Sequence, residues 1–144
     1  MAQPKAGAFQ GVRALSHLGI AVKSIESTLG FFEGVLGLSC EHVEEVSSQK
    51  VRAAFLPLGA TRLELLEPTA PESPIARFLE KRGEGLHHLA FRVEDVRAEL
   101  ARLEGEGFEL VDRAPRPGAH GRTVAFLHPR SAHGALIELV QDAS

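Results

Sequence analysis

The chain has 144 residues, 44% of them hydrophobic and 24% charged, with 14 Gly and 8 Pro, which is the composition of a folded domain with a core and excludes disordered, collagen-like and fibrous chains. Sixteen Lys plus Arg against nineteen Asp plus Glu give a formal charge of -3, so no electropositive field is available to hold a polyanion, and nucleic acid is not expected as a partner. No apolar run approaches the roughly 20 residues that cross a bilayer, and residues 1–14 lack the apolar stretch and cleavage site of a secretory signal, which predicts a cytoplasmic chain without membrane contact.

Residues 1–14 read as a flexible extension and 15–144 as one domain. Leu18, Ile20 and Val22 alternate with Gly19 and Ala21, the two-residue period of a strand with one buried face. Ser24 then offers an N-cap to a helix carrying Ile25, Leu29, Phe32 and Leu36, with Gly37 as its stop. Three strands are expected next, over 40–46, 50–57 and 62–66, the last two joined by a turn containing Gly59. Module one thus spans about 15–68. A linker helix follows at about 73–83, opened by Ser73 and Pro74, carrying Ile75, Phe78 and Leu79, and stopped by Gly83.

Module two, about 86–141, repeats the order of the first. Leu89, Phe91 and Val93 alternate along a strand; Asp95 caps a helix with Val96, Leu100 and Leu103; Gly105 and Gly107 end it. Strands are expected over 109–112, 123–128 and 135–140, with a loop over 113–122 and a turn over 131–134. The fold class is therefore α+β: two tandem β-α-β-β-β modules forming a concave mixed sheet with a cleft. The repeat also holds residue by residue. His17-Leu18-Gly19-Ile20-Ala21-Val22 matches His88-Leu89-Ala90-Phe91-Arg92-Val93, and Leu63-Glu64-Leu65 matches Ile137-Glu138-Leu139.

Each module places one His at the head of its first strand and one Glu in its last. Alternation puts His17 on the face of Gly19 and Ala21, away from the residues under the helix, and puts Glu64 and Glu138 opposite their apolar neighbours. If the modules pair about a pseudo-twofold axis, His17, Glu64, His88 and Glu138 converge. Cys40 is the only cysteine, so a thiolate site is excluded. Two imidazoles and two carboxylates suit a divalent ion such as Co, Mn, Ni, Zn or Fe, with positions left for substrate oxygens. Co2+ or Mn2+ is favoured, with Ni2+, Zn2+ and Mg2+ as further candidates. A single strand His is ordinarily a satisfied core residue and a single strand Glu a solvated one; four at duplicated positions are not. His87 is expected to pack on the opposite face, and His128 either lines the cleft or caps a strand. His42, His120 and His133 carry no constellation. Arg113, Arg116, His120, Arg122, His128 and Arg130 form a basic stretch that either grips an anion or is simply solvated.

These strings resemble the methylmalonyl-CoA epimerase family of the vicinal oxygen chelate (glyoxalase-like) superfamily over about 15–140. The epimerase-like features are Leu-Glu-Leu-Leu-Glu-Pro at 63–68, Ser-Pro-Ile-Ala-Arg-Phe at 73–78, Gly-Leu-His-His-Leu-Ala-Phe at 85–91 and Phe-Leu-His-Pro-Arg at 126–130. The resemblance implies that His17, Glu64, His88 and Glu138 are metal ligands and that the reaction interconverts (R)- and (S)-methylmalonyl-CoA. In such a reaction a dication chelates the thioester oxygen and the carboxylate while a proton leaves C2 and returns to the other face. It further implies that Glu138 is one proton-transfer group, that the small-molecule substrate is an acyl-CoA, and that the chain forms a homodimer. Some members carry a Glu in the third strand where this chain has Ala53, leaving Glu44, Glu45, a metal-bound water or another group for the second proton transfer. The competing expectations are a glyoxalase I-type isomerase acting on a thiol hemiacetal with the same ligands, and a non-catalytic small-molecule-binding protein of the same fold. An extradiol dioxygenase ranks last.

Overall fold

The strand expected from Leu18 and Ile20 is β1 (Ala14–Ala21), seen in a computed structural model that describes residues 11–143. Of the flexible extension expected over 1–14, residues 1–10 lie outside those described, while Ala14 already belongs to β1 and the Arg13 N–H donates to Arg92 O at 2.8 Å. Ser24, extended at φ -147°, accepts the Ser27 N–H and starts α1 (Ile25–Phe32), satisfying one of the donors that a helix N-terminus leaves open. Three strands follow: β2 (His42–Val46), β3 (Val51–Leu58) and β4 (Thr61–Pro68). The turn between the last two needs Gly59 at φ 61°. Ser73 accepts the Ile75 N–H at 3.1 Å to open α2 (Pro74–Arg82), and Gly83 closes it at φ 79°. β5 (Gly85–Arg92) leads to α3 (Val96–Gly105), capped by Asp95, and then to β6 (Arg116–Pro117), β7 (Thr123–Leu127) and β8 (Ile137–Gln141).

The described residues divide into two compact units, Ser16–Leu89 and residues 90–143 together with 11–15. In the first unit the strands lie in the order β2-β3-β4-β1-β5. β2 with β3 and β3 with β4 are antiparallel, while β4 runs parallel to β1, so the sheet is mixed as expected. Ile20, Leu29 and Phe32 pack onto a core of Val22, Ile25, Ala54, Leu56 and Leu65. In the second unit the order is β5-β8-β7-β6, and α3 lays Val96 and Leu100 against Val93, Ala125 and Leu139. Among the described residues no helix is long and apolar enough to cross a membrane.

Three elements differ from expectation. α1 stops at Phe32, not at Leu36: the Gly34 N–H bonds Leu29 O, five residues back, and two glycines in this stretch remove helix propensity. Val35 and Leu36 consequently stand 72% and 53% exposed. The strand expected over 109–112 reduces to one bridge between Leu110 and Leu127. Phe126 O accepts from both Val111 and Asp112, and the Asp112 carboxylate takes the Phe126 N–H at 2.9 Å, so a side chain ends the ladder. The loop expected over 113–122 contains the two-residue β6 and a 3-10 turn at Ala119–Gly121.

Candidate metal centre

His17, Glu64 and His88 lie in the first unit, and all three are buried, at 2%, 5% and 5% exposure. β1 and β4 put His17 and Glu64 on one side because parallel pairing sets Gly19 beside Glu64, and His17 shares the Gly19 face two residues earlier. The two imidazoles meet edge to face, with ring centroids 5.3 Å apart, and their Nε2 atoms are 3.2 Å apart. Both Nδ1 atoms point at other partners. His17 Nδ1 lies 3.1 Å from Glu64 Oε2 and 3.0 Å from Ser16 Oγ; His88 Nδ1 lies 3.0 Å from His87 Nδ1. Contacts at Nδ1 hold each ring in place and leave Nε2 as the atom offered to the other ring, the outer arrangement typical of ligating histidines.

The 3.2 Å separation is a hydrogen-bond distance between one protonated and one unprotonated ring nitrogen, and it is also a spacing that a shared cation could bridge. Two imidazole nitrogens at about 2.1 Å from a metal and at right angles to each other would stand about 3 Å apart. Gly19 makes this approach feasible. A Cβ there would lie 2.5 Å from His88 Nδ1 and 2.7 Å from Nε2, so only a residue without a side chain leaves room for the ring. Glu64 is held by Arg62, whose Nε donates to Oε2 at 3.0 Å. Arg62 also lies over the Phe55 ring at 5.5 Å, and its Nη2 is buried without a hydrogen-bond partner among the described residues.

Glu138, the fourth residue expected in the set, is in the second unit, 4% exposed in β8 and paired with Phe126 of β7. It is buried on the strand where the duplication places it.

Ser16, Arg62 and His87 were not among the expected site residues. Ser16 and His87 each precede a candidate ligand by one residue, and this shared offset was available in the sequence. His87 also packs edge-on against Phe78, with centroids 5.0 Å apart, the packing role expected of it. In the basic stretch Arg116 and Arg130 meet carboxylates and Arg122 meets a backbone carbonyl. Arg116 Nε lies 3.5 Å from Asp112, Arg130 pairs with Glu109 at 3.3 Å, and Arg122 is 7% exposed with Nε donating to Ala119 O. His128 caps a turn by accepting the Arg130 N–H. His42 does carry a partner: its Nε2 lies 3.3 Å from Glu44 Oε1.

A family model described as the glyoxalase/bleomycin resistance protein/dioxygenase superfamily matches residues 16–126. The ethylmalonyl-CoA/methylmalonyl-CoA epimerase of Cereibacter sphaeroides is 38% identical over 88% of this chain and 96% of its own. The human mitochondrial methylmalonyl-CoA epimerase is 34% identical over 94% of this chain and 77% of its own. A solved structure of methylmalonyl-CoA epimerase in complex with methylmalonyl-CoA and NH4+ superposes with a TM-score of 0.88 at 37% identity, covering 93% of this chain and 97% of that one.

Proposed function

The chain belongs to the glyoxalase/bleomycin resistance protein/dioxygenase superfamily and, within it, to the methylmalonyl-CoA epimerases, and from that premise we propose that it inverts C2 of methylmalonyl-CoA with the help of a divalent cation. The observation that carries the metal dependence is the pair of buried imidazoles with Nε2 atoms 3.2 Å apart. In this reading His17 and His88 would hold the ion through Nε2 and Glu138 through a carboxylate oxygen, and Glu64 would join the donor set by turning from His17 Nδ1. This mixed nitrogen and oxygen set suits Co2+ or Mn2+, with Ni2+, Zn2+ and Mg2+ as alternatives. When bound, the dication supplies a Lewis acid that stabilises negative charge developing on the thioester oxygen as C2 loses its proton.

The chain's own residues do the rest. Glu138 is the carboxylate that removes or returns the C2 proton on one face. Arg62 Nη2, a buried donor without a partner among the described residues, is placed beside Glu64 to take an anionic oxygen of the substrate. Ser16 and His87 fix the imidazoles. Burial of all four candidate ligands at 5% exposure or less keeps bulk water from the carbon while it carries charge. Retention of both His and both Glu sets this reading above a purely sequestering protein of the same fold.

The test is methylmalonyl-CoA in heavy water, following deuterium at C2 with and without prior chelator treatment. Metal-dependent incorporation is expected, and its absence would remove the reading. Glu138→Gln is expected to abolish epimerisation while preserving the fold; retained turnover would show that the proton moves through a different side chain.

A further inference from the structure

Inversion at carbon takes two groups, one to remove the proton and another to return it from the opposite side, and Glu138 is only one of them. We propose that Glu44, backed by His42, is the second proton-transfer group. The inference rests on the epimerase reading and names a residue of the same site.

Strand register carries it. Paired residues in neighbouring strands present their side chains on the same face. One row across the first unit's sheet is Gly19, Glu64, Phe55 and His42; the next is Ala21, Leu66, Ala53 and Glu44. Glu44 and His42 therefore share the face that bears the metal-ligand candidates Glu64 and His17. Side-chain contacts trace the same path. His42 stacks on Phe55 with centroids 5.8 Å apart, Arg62 lies over Phe55, Arg62 binds Glu64, and Glu64 meets His17. Glu45 is excluded by the same register, because it pairs with Arg52 on the other face, where Arg52 binds Glu67.

The neighbouring position gives Glu44 its reach. Adjacent strands are about 4.8 Å apart, close to the length of an extended glutamate side chain. Ala53, directly across from Glu44, presents only a methyl group, so the carboxylate can extend over β3, one strand closer to Leu66 and Glu64 on β4. His42 supplies the connection to solvent. Its side chain is 48% exposed, Glu44's is 29% exposed, and Nε2 lies 3.3 Å from Oε1. A proton taken from C2 onto Glu44 can pass to the imidazole and out, and a solvent proton can return by the same route. The step balances: the C2–H bond breaks, an O–H bond forms on Glu44, and the electron pair stays with the substrate until a proton is delivered to the opposite face of C2.

The experiment compares wild type, Glu44→Gln and Glu45→Gln, each with bound metal measured by elemental analysis, on separately prepared (R) and (S) substrate in heavy water. Wild type and Glu45→Gln are expected to epimerise and to exchange C2 of both epimers. Glu44→Gln is expected to keep its metal, to epimerise at least about 100-fold more slowly, and to go on exchanging C2 of one epimer without inverting it. His42→Asn is expected to epimerise but with a lower ratio of solvent exchange to inversion, since the abstracted proton is returned before it escapes. Epimerisation by Glu44→Gln at the wild-type rate overturns the proposal. So does equal loss of exchange from both epimers, or loss of metal from that variant. Failure of the wild-type protein to exchange either epimer would instead bring down the epimerase reading, and this inference with it.

Discussion

Replacing Gly19 by Ala tests the site at its tightest point. The added Cβ would sit 2.5 Å from His88 Nδ1 and 2.7 Å from Nε2, where ordinary non-bonded contacts are about 3.5 Å. The imidazole must therefore retreat by roughly 1 Å, whereas metal–ligand distances tolerate only about 0.2 Å. Loss of an outer partner of a ligand typically costs about 10–100-fold in metal affinity, and displacing the ligand itself is expected to cost more than that range. Calorimetric titration of Co2+ or Mn2+ into the variant should show at least about 100-fold weaker binding, and thermal unfolding should register about 1–3 kcal/mol for the overpacked strand. Gly30→Ala is the matched control. It lies in α1 with nothing within 4 Å of the added carbon, and is expected to gain about 0.5–1 kcal/mol with metal affinity unchanged. Wild-type metal affinity in Gly19→Ala, with the His88 ring unmoved in its structure, would refute the reasoning.

Arg62→Gln removes the guanidinium that holds Glu64 and leaves Phe55 without its cation; metal affinity is expected to fall about 10-fold, and the apparent KM for methylmalonyl-CoA to rise, both readable by titration and steady-state kinetics. His87→Phe keeps the packing against Phe78 but removes the nitrogen 3.0 Å from His88 Nδ1; about a 10-fold loss of metal affinity is expected with little change in melting temperature. Ser73→Ala deletes the cap of α2 at a fully buried position, and chemical denaturation should show a loss of about 1–2 kcal/mol. Retention of full stability would mean that the Ile75 N–H finds another acceptor.

The elements that were legible in the sequence are those whose punctuation is local. Ser73, Pro74 and Gly83 bracket α2 because capping, a fixed φ and a left-handed stop are properties of single residues. The alternation around His17 and the Leu-Glu-Leu string likewise fixed the faces of β1 and β4, which is why the side bearing His17 and Glu64 could be read before any coordinates. Tertiary competition accounts for the misses. Nothing local says that the Asp112 side chain will occupy the ladder position at Phe126 N, or that the Gly34 N–H will bond five residues back and end α1 early. The choice between Glu44 and Glu45 was equally closed to sequence, because their roles depend on which residue of β3 each one opposes. The outer partners of the histidines were missed for a different reason. Alternation assigns His87 to the far face, yet its ring reaches back to His88 Nδ1, a rotamer outcome that period-two reasoning does not address.

α2 is more than a spacer between repeats. Arg82 lies 5.7 Å over Phe78, Phe78 packs edge-on against His87, and His87 meets His88, so the connector works as an outer buttress for a ring proposed to hold an ion. If the proposed metal centre is right, circular permutation, an affinity tag or a cleavage site placed in this segment would weaken ion binding even with every proposed ligand left intact. Anyone re-engineering the chain should make the cut elsewhere.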